Sequence, residues 1–323
     1  MEKANSLSHS STPGKVKFNL NHAIDFEPKP RSSRKYGITI KYYNEGKEEV
    51  AKRLDYQIHL QVNQFRDENK VWQLCFDKTD LFIDRHEPDF VGEQLANMAM
   101  GAIYPLKVDV NSRNEIFRGI VNHEEILNRW QQVAEKISDK YEGRYAELYL
   151  EKMEKKISDR FELEYALRAD MFWNVFFHPQ YLKYDGNLSQ PTTFFFPVIA
   201  YKNVAFEGVQ SVEPNYTDYR TFKVNFSSES ELTEEQKIQM GQNGSLKMKL
   251  NAICDLDQDG GLFKHARVDW NLYRDEISVK RIAFSAYEIE SNIPTTGQHL
   301  LIQNGFEHVP VDKKKGFWAR VLG

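Results

Sequence analysis

The sequence predicts an α+β protein: two blocks of antiparallel strands flanking a central helical hairpin, drawn into one curved sheet packed on the helices. Three observations lead there. Before residue 122 and after about residue 193, apolar residues recur at every second position, the period of a strand with one buried and one wet face. Between the two blocks the apolar period changes to three and four residues, the stripe of an amphipathic helix. The end of that helical stretch then turns apolar nearly all round, which suits a helix covering the open apolar faces of both strand blocks.

The elements follow in order. Residues 1–34 are rich in Ser, Asn, Lys and Pro and read as a flexible tail. Tyr36, Ile38, Ile40 and Tyr42 alternate with smaller or polar residues. Leu54, Tyr56, Ile58, Leu60 and Val62 then share one face of a strand whose other face carries Arg53, Asp55, Gln57, His59 and Gln61. Trp72, Leu74 and Phe76 continue the sheet, a short helix spans about Phe90 to Met100, and a hairpin from Leu106 to Val121 closes the first block.

Asn122 with Glu125 has the spacing of a capping box, and Ile126, Trp130, Val133 and Ile137 form the stripe of the helix it opens. A short repeat follows, Lys136-Ile-Ser-Asp-Lys-Tyr-Glu142 against Lys156-Ile-Ser-Asp-Arg-Phe-Glu162. Twenty residues of one straight helix turn through about 200°, so the two copies would face opposite ways. The repeat therefore reads as Asp139 and Asp159 each capping a new helix. Residues 163–177 form the buried helix, stopping before Pro179. In the last block Phe222, Val224 and Phe226 mark one strand, and Thr233 with Gln236 caps a short helix ending near Gly241. Leu246 to Cys254, Ala266 to Leu272 and Ile282 to Ala286 supply three more strands. A single domain over 35–310 fits this layout, with a division near residue 185 as the alternative and 311–323 as a basic-aromatic tail.

Composition narrows the function. The 323 residues are 41% hydrophobic and 13% aromatic, enough for a substantial core. Forty-three basic and 47 acidic side chains leave a formal charge of −4, which argues against nucleic acid as a partner, since phosphate binding needs a basic surface. Two cysteines, Cys75 and Cys254, are too few for a disulfide framework or a cysteine-rich metal site, and Cys254 falls on the apolar phase of its strand. The N-terminus has no apolar signal-peptide core, and no apolar run is long enough for a transmembrane segment, so the expected location is cytoplasmic.

No phosphate-binding glycine loop, nucleophile elbow, zinc spacing or kinase set occurs, and no cofactor is implied. Asp84, His86 and Glu87 are the catalytic candidates, grouped between a strand and a helix where capping residues also gather. Asp255, Asp257 and Asp259 place oxygens at alternate positions before Gly260, like half a calcium loop; position twelve is Ala266 where a bidentate Glu is needed, and hairpin-turn chemistry explains the cluster better. Trp173, Phe176 and Phe177 are candidates to line an apolar ligand. Phe317 and Trp318, beside Lys313–Lys315, are candidates to dock a protein partner or touch a membrane surface weakly. The reading leans away from an enzyme, toward a structural or adaptor subunit of a cytoplasmic assembly whose partners are other proteins. The alternative is a carrier or sensor enclosing an apolar small molecule between sheet and helices, and the third is an enzyme without a recognisable motif.

Overall fold

A computed structural model of the protein describes residues 24, 26, 28–66, 71–111, 117–178, 182–184, 186–199, 202–217, 219, 221–257 and 261–289. These all belong to one compact unit, Met1–Ile289; Glu290–Gly323 lies outside them. The chain opens with β1 (Ser33–Tyr43), β2 (Val50–Arg66) and β3 (Val71–Ile83), followed by α1 (Val91–Ile103), β4 (Leu106–Asn111) and β5 (Phe117–Ile120). The helices α2 (His123–Lys140), α3 (Arg144–Ser158), α4 (Arg160–Arg168) and α5 (Met171–Phe176) come next. The chain then runs through β6 (Ser189–Ile199), β7 (Lys202–Val212), β8 (Thr221–Glu231), α6 (Glu234–Met240), β9 (Lys247–Asp257), β10 (Phe263–Arg274) and β11 (Ile277–Glu288).

The fold is α+β as expected, but the two strand blocks do not flank a hairpin. They form one antiparallel sheet of 11 strands in the order β5-β4-β3-β2-β1-β11-β10-β9-β8-β7-β6. The join is β1 against β11, with Tyr36 opposite Glu288 and Tyr43 opposite Arg281. Each block alone would leave a long edge of unpaired backbone groups, and pairing the two edges satisfies both. The alternation places Tyr36, Ile38, Ile58, Leu60, Leu74, Phe76, Trp270 and Phe284 on one buried face.

That face curls around α5. Ten strand-to-strand steps at about 4.8 Å would stretch a flat sheet over roughly 48 Å, whereas a six-residue helix is only about 9 Å long. Yet α5 touches both ends of the strand order: Trp173 meets Phe117 on β5 at 6.1 Å between ring centroids, and the helix also packs on β6. Between those ends it reaches Phe76 on β3, Tyr36 on β1 and Phe263 on β10. Only a sheet rolled most of the way into a barrel allows this.

The helical stretch departs from its expected shape in three places. The buried helix expected over 163–177 breaks at Ala169–Asp170 into α4 and α5, because Asp170 caps the second piece by accepting from the Phe172 and Trp173 amides. Of the repeated aspartates, Asp159 does cap α4, whereas Asp139 lies inside α2, and α3 begins after Gly143 at φ +98°. Asn122 precedes α2 but forms no capping box, since its side chain accepts from the Lys107 amide and donates to the Pro105 carbonyl instead. The Thr233–Gln236 box and the left-handed Gly241 that ends α6 form as expected. Within the stretch read as a tail, Ile24 and Phe26 are buried, Phe26 edge-on to Phe176.

The helical layer also shields an edge. At β5, the end strand of the sheet, Glu164 of α4 accepts the Ile120 amide at 2.8 Å while paired with Arg160. Arg129 of α2 donates to the carbonyls of Ala102, Ile103 and Pro105, closing the end of α1 and tying it to α2.

Candidate functional site

The inward phase of β3 runs Trp72, Leu74, Phe76 and then Lys78. The first three are buried apolar residues, so an ammonium at the fourth inward position is out of pattern. Its side chain is 13% exposed. Lys78 Nζ lies 3.9 Å over the ring of Tyr56, the inward residue of neighbouring β2, and 3.7 Å from Oδ2 of Asp170, the cap of α5. A cation held between a ring face and a carboxylate is how a lysine survives burial.

Two phenols complete the cluster. Tyr56 is 4% exposed, and its buried hydroxyl has no hydrogen-bond partner among the described residues. Tyr104, at the end of α1, accepts from Trp173 Nε1 at 3.2 Å, and no described residue accepts its own proton. Burial, and behind it the Asp170 charge, pushes both phenols well above the ordinary tyrosine range. Both therefore stay protonated and able to donate near neutral pH. The β2–β3 register shifts beside this cluster, and Asp80 there takes a left-handed φ of +54°. A bulge of this kind re-aims the neighbouring side chains.

Of this cluster Lys78 lines a depression of about 390 Å³ between the second half of β3 and α1, together with Asp80, Glu87, Asn97 and Met100 among others. Aromatic rings join α5 to β3. Phe76 lies 4.8 Å from Trp173 and 5.2 Å from Phe176, and Phe177 stacks on Trp173 at 5.1 Å. Trp173 and Phe176 are buried and Phe177 is partly buried. The three ligand-lining candidates thus come together, in one cluster of rings.

The other candidates are placed as follows. Asp84, His86 and Glu87 sit in an exposed turn after β3, where Asp84 Oδ1 accepts the Arg53 amide and Ile83 bridges to His86. Their side chains do not converge on one point; Glu87 alone lines the depression. Asp257 is paired with Arg34, and Asp255 Oδ2 faces His265 at 3.4 Å while its Oδ1 is buried with no partner among the described residues. Asp259, Phe317 and Trp318 lie outside the described residues. Among the described residues no three metal-ligating side chains gather.

Sequence reasoning passed over Lys78, Tyr56 and Tyr104. The signal for Lys78 was present, a lysine continuing the apolar phase of Trp72, Leu74 and Phe76. Nothing in the sequence marks Tyr56 or Tyr104 as different from core tyrosines.

A second polar group is buried where the chain leaves α5. His178 stacks on Phe194 at 3.9 Å, and its Nε2 lies 2.7 Å from Oε1 of Gln210, whose Nε2 donates to the Tyr184 hydroxyl. Nδ1 of His178 is buried with no partner among the described residues. Burial pushes this imidazole down to about 3, so it is neutral at ordinary pH, which suits a packing role. Cys254 is likewise buried and free, its thiol pushed up by burial, while Cys75 is half-buried.

No protein-family model matches the chain, nor does any curated protein. Among solved structures it is similar to lipovitellin, described for its lipid–protein interactions, at 10% identity and a TM-score of 0.45. That likeness covers 82% of this chain and only 26% of the lipovitellin chain. It is also similar to DynF from the dynemicin biosynthesis pathway of Micromonospora chersina, at 6% identity and a TM-score of 0.21, over 89% and 94% of the two chains. Likenesses this distant carry no argument about the site. No helix among the described residues is long and apolar enough to cross a membrane.

Proposed function

We propose that the protein is a carrier that takes an apolar molecule into the rolled sheet, in place of part of the packing of α5. The observation that carries this reading is how α5 is held. Its inward contacts to the sheet are aromatic rings, from Tyr36, Phe76, Phe117 and Phe263. Such contacts are non-directional, so an acyl or polyisoprenoid chain offering equal apolar area replaces them with little net change in free energy. A helix of six residues has little stability of its own, which makes it a movable plug where a longer helix would not be.

Lys78 connects the two features suited to a ligand's entry, since it lines the depression beside β3 and pairs with Asp170, which ties the cap of α5 to the sheet. Trp173, Phe176 and Phe177 are the residues that would line the bound chain. No specific observation favours the adaptor reading, whose candidate residues are outside the described part of the chain.

Dibrominated octadecane tests the reading, because bromine quenches tryptophan on contact and Trp173 is at the centre of the plug. Saturable quenching at one equivalent per chain, with the hydrocarbon co-purifying on gel filtration, is the expected result. Linear, non-saturating quenching with no co-purification overturns the carrier.

A further inference from the structure

We infer that Tyr56 and Tyr104, held beside the Lys78–Asp170 pair, form a polar head-group subsite for the carbonyl oxygen of a neutral acyl ester or amide. This inference rests on the carrier reading and names the class of ligand it would take.

Donors outnumber acceptors in this cluster. Tyr56 is buried and its hydroxyl has no partner among the described residues. An unsatisfied buried hydroxyl costs about 1–3 kcal/mol, so its persistence needs a reason. The Tyr104 hydroxyl accepts from Trp173 Nε1 and has a proton left to give. Lys78 Nζ makes no direct hydrogen bond among the described residues; it is held by the Tyr56 ring and a 3.7 Å ion pair. Lys78 is paired with Asp170 and lies over Tyr56, Tyr104 is bonded to Trp173 three residues after that aspartate, and both phenols feel the Asp170 charge. Three groups with protons to donate thus surround this aspartate, and the missing element is an acceptor. An apolar chain carrying one carbonyl supplies it, with the chain lying along the rings of Trp173, Phe176 and Phe177 while Asp170 keeps its place at the start of α5.

Charge decides between an ester and a free acid. The Asp170 carboxylate already balances the Lys78 ammonium, and its Oδ1 is committed to the Phe172 and Trp173 amides. A ligand carboxylate would bring a second negative charge next to Asp170 in a place shielded from water, which is unfavourable. A neutral carbonyl takes the same hydrogen bonds without that penalty.

Tyr56→Phe is the decisive variant, because it removes a hydroxyl that no described residue uses. Folding stability should hold or rise slightly, which separates a binding role from a structural one. Binding of dibrominated octadecane, the dibrominated stearate methyl ester and dibrominated stearate is compared by tryptophan quenching in the intact wild-type and variant chains. The expected result is that the wild type prefers the ester over the hydrocarbon by about tenfold, the worth of one hydrogen bond, and over the carboxylate as well. The variant should lose the ester preference and keep its affinity for the hydrocarbon. An unchanged ester preference in the variant, or a carboxylate that binds more tightly than the ester, overturns the subsite and leaves the carrier standing. A wild type that binds none of the three overturns the carrier, and the subsite with it.

Discussion

Lowering the pH from 7 to 5 should destabilise the protein through His178, and the size of the effect follows from its burial. The imidazole is 4% exposed, stacked on Phe194 and bonded to Gln210, and it titrates near 3 in the folded chain against an ordinary value of 6.5. Between those two values the unfolded chain carries a proton that the folded chain does not. The stability contributed by the neutral imidazole is therefore complete above about pH 6.5 and is lost progressively as the pH falls toward 3. At pH 5 the unfolded state sits 1.5 units below its own pKa, worth roughly 2 kcal/mol at about 1.36 kcal/mol per unit. Other groups titrate over the same range, so the assay compares the wild type with His178→Gln, which keeps an amide near Gln210 and cannot take up the proton. Urea unfolding at the two pH values should show the wild type losing about 2 kcal/mol more than the variant, although the variant starts lower at pH 7 for want of the ring stack. Equal losses in the two proteins would mean that His178 titrates as it does in water, and the sealed site described above would be wrong.

Two further outcomes test the packing. Phe76→Ala removes the ring that touches Phe172, Trp173, Phe176 and Phe177 at 4.8–6.3 Å, and should cost about 3–5 kcal/mol in urea unfolding; a loss under about 1 kcal/mol would mean that the sheet does not grip α5. Asp159→Ala should cost about 1 kcal/mol by removing the cap of α4, while Asp139→Ala, on the exposed side of α2, should change the unfolding midpoint by less than half as much; equal effects would contradict the helix boundaries.

How far the fold is legible depends on how far apart the interacting residues lie. Period and capping chemistry are local, and they locate the strands around Leu54–Val62, Leu246–Cys254 and Ala266–Leu272 and the box at Thr233. Pairing is not local. Tyr36 meets Glu288 across most of the chain, and alternation says which face is buried without saying which edge joins which, so one sheet can be expected from the two blocks but not the pairing of β1 with β11 that makes it. The same limit explains Asn122, whose capping spacing is right but whose amide finds Lys107 and Pro105, brought close only by the β4–α2 turn. Asp139 and Asp159 share a local sequence and differ in outcome because α2 remains packed through Ile137 and its helix continues past the aspartate. Ile24 and Phe26 continue the alternate-position series of Val16, Phe18 and Leu20, a period that the Ser-, Asn-, Lys- and Pro-rich composition of the stretch outweighs in a reading of it as a tail.

Of the candidate site only Lys78 leaves a mark in the sequence, as a breach of the apolar pattern of its strand. Natural sequences agree with their fold at most positions, and local disagreement concentrates where function requires it. On β3 the apolar phase of Trp72, Leu74 and Phe76 ends in Lys78, the facing strand contributes a buried Tyr56 hydroxyl without a described partner, and the register between them slips. A sheet selected for stability alone would place a leucine at 78 and a phenylalanine at 56, and both would be expected to pack against α5 without an unsatisfied donor. The polar residues are tolerable only because Asp170 leaves the end of the α4–α5 stretch to meet the ammonium, and that same aspartate breaks the helix there. One residue thus accounts for the helix boundary that periodicity missed and for the charge balance at Lys78. The break in the helix and the polar cluster are one feature, and a substitution that removed Asp170 would disturb both.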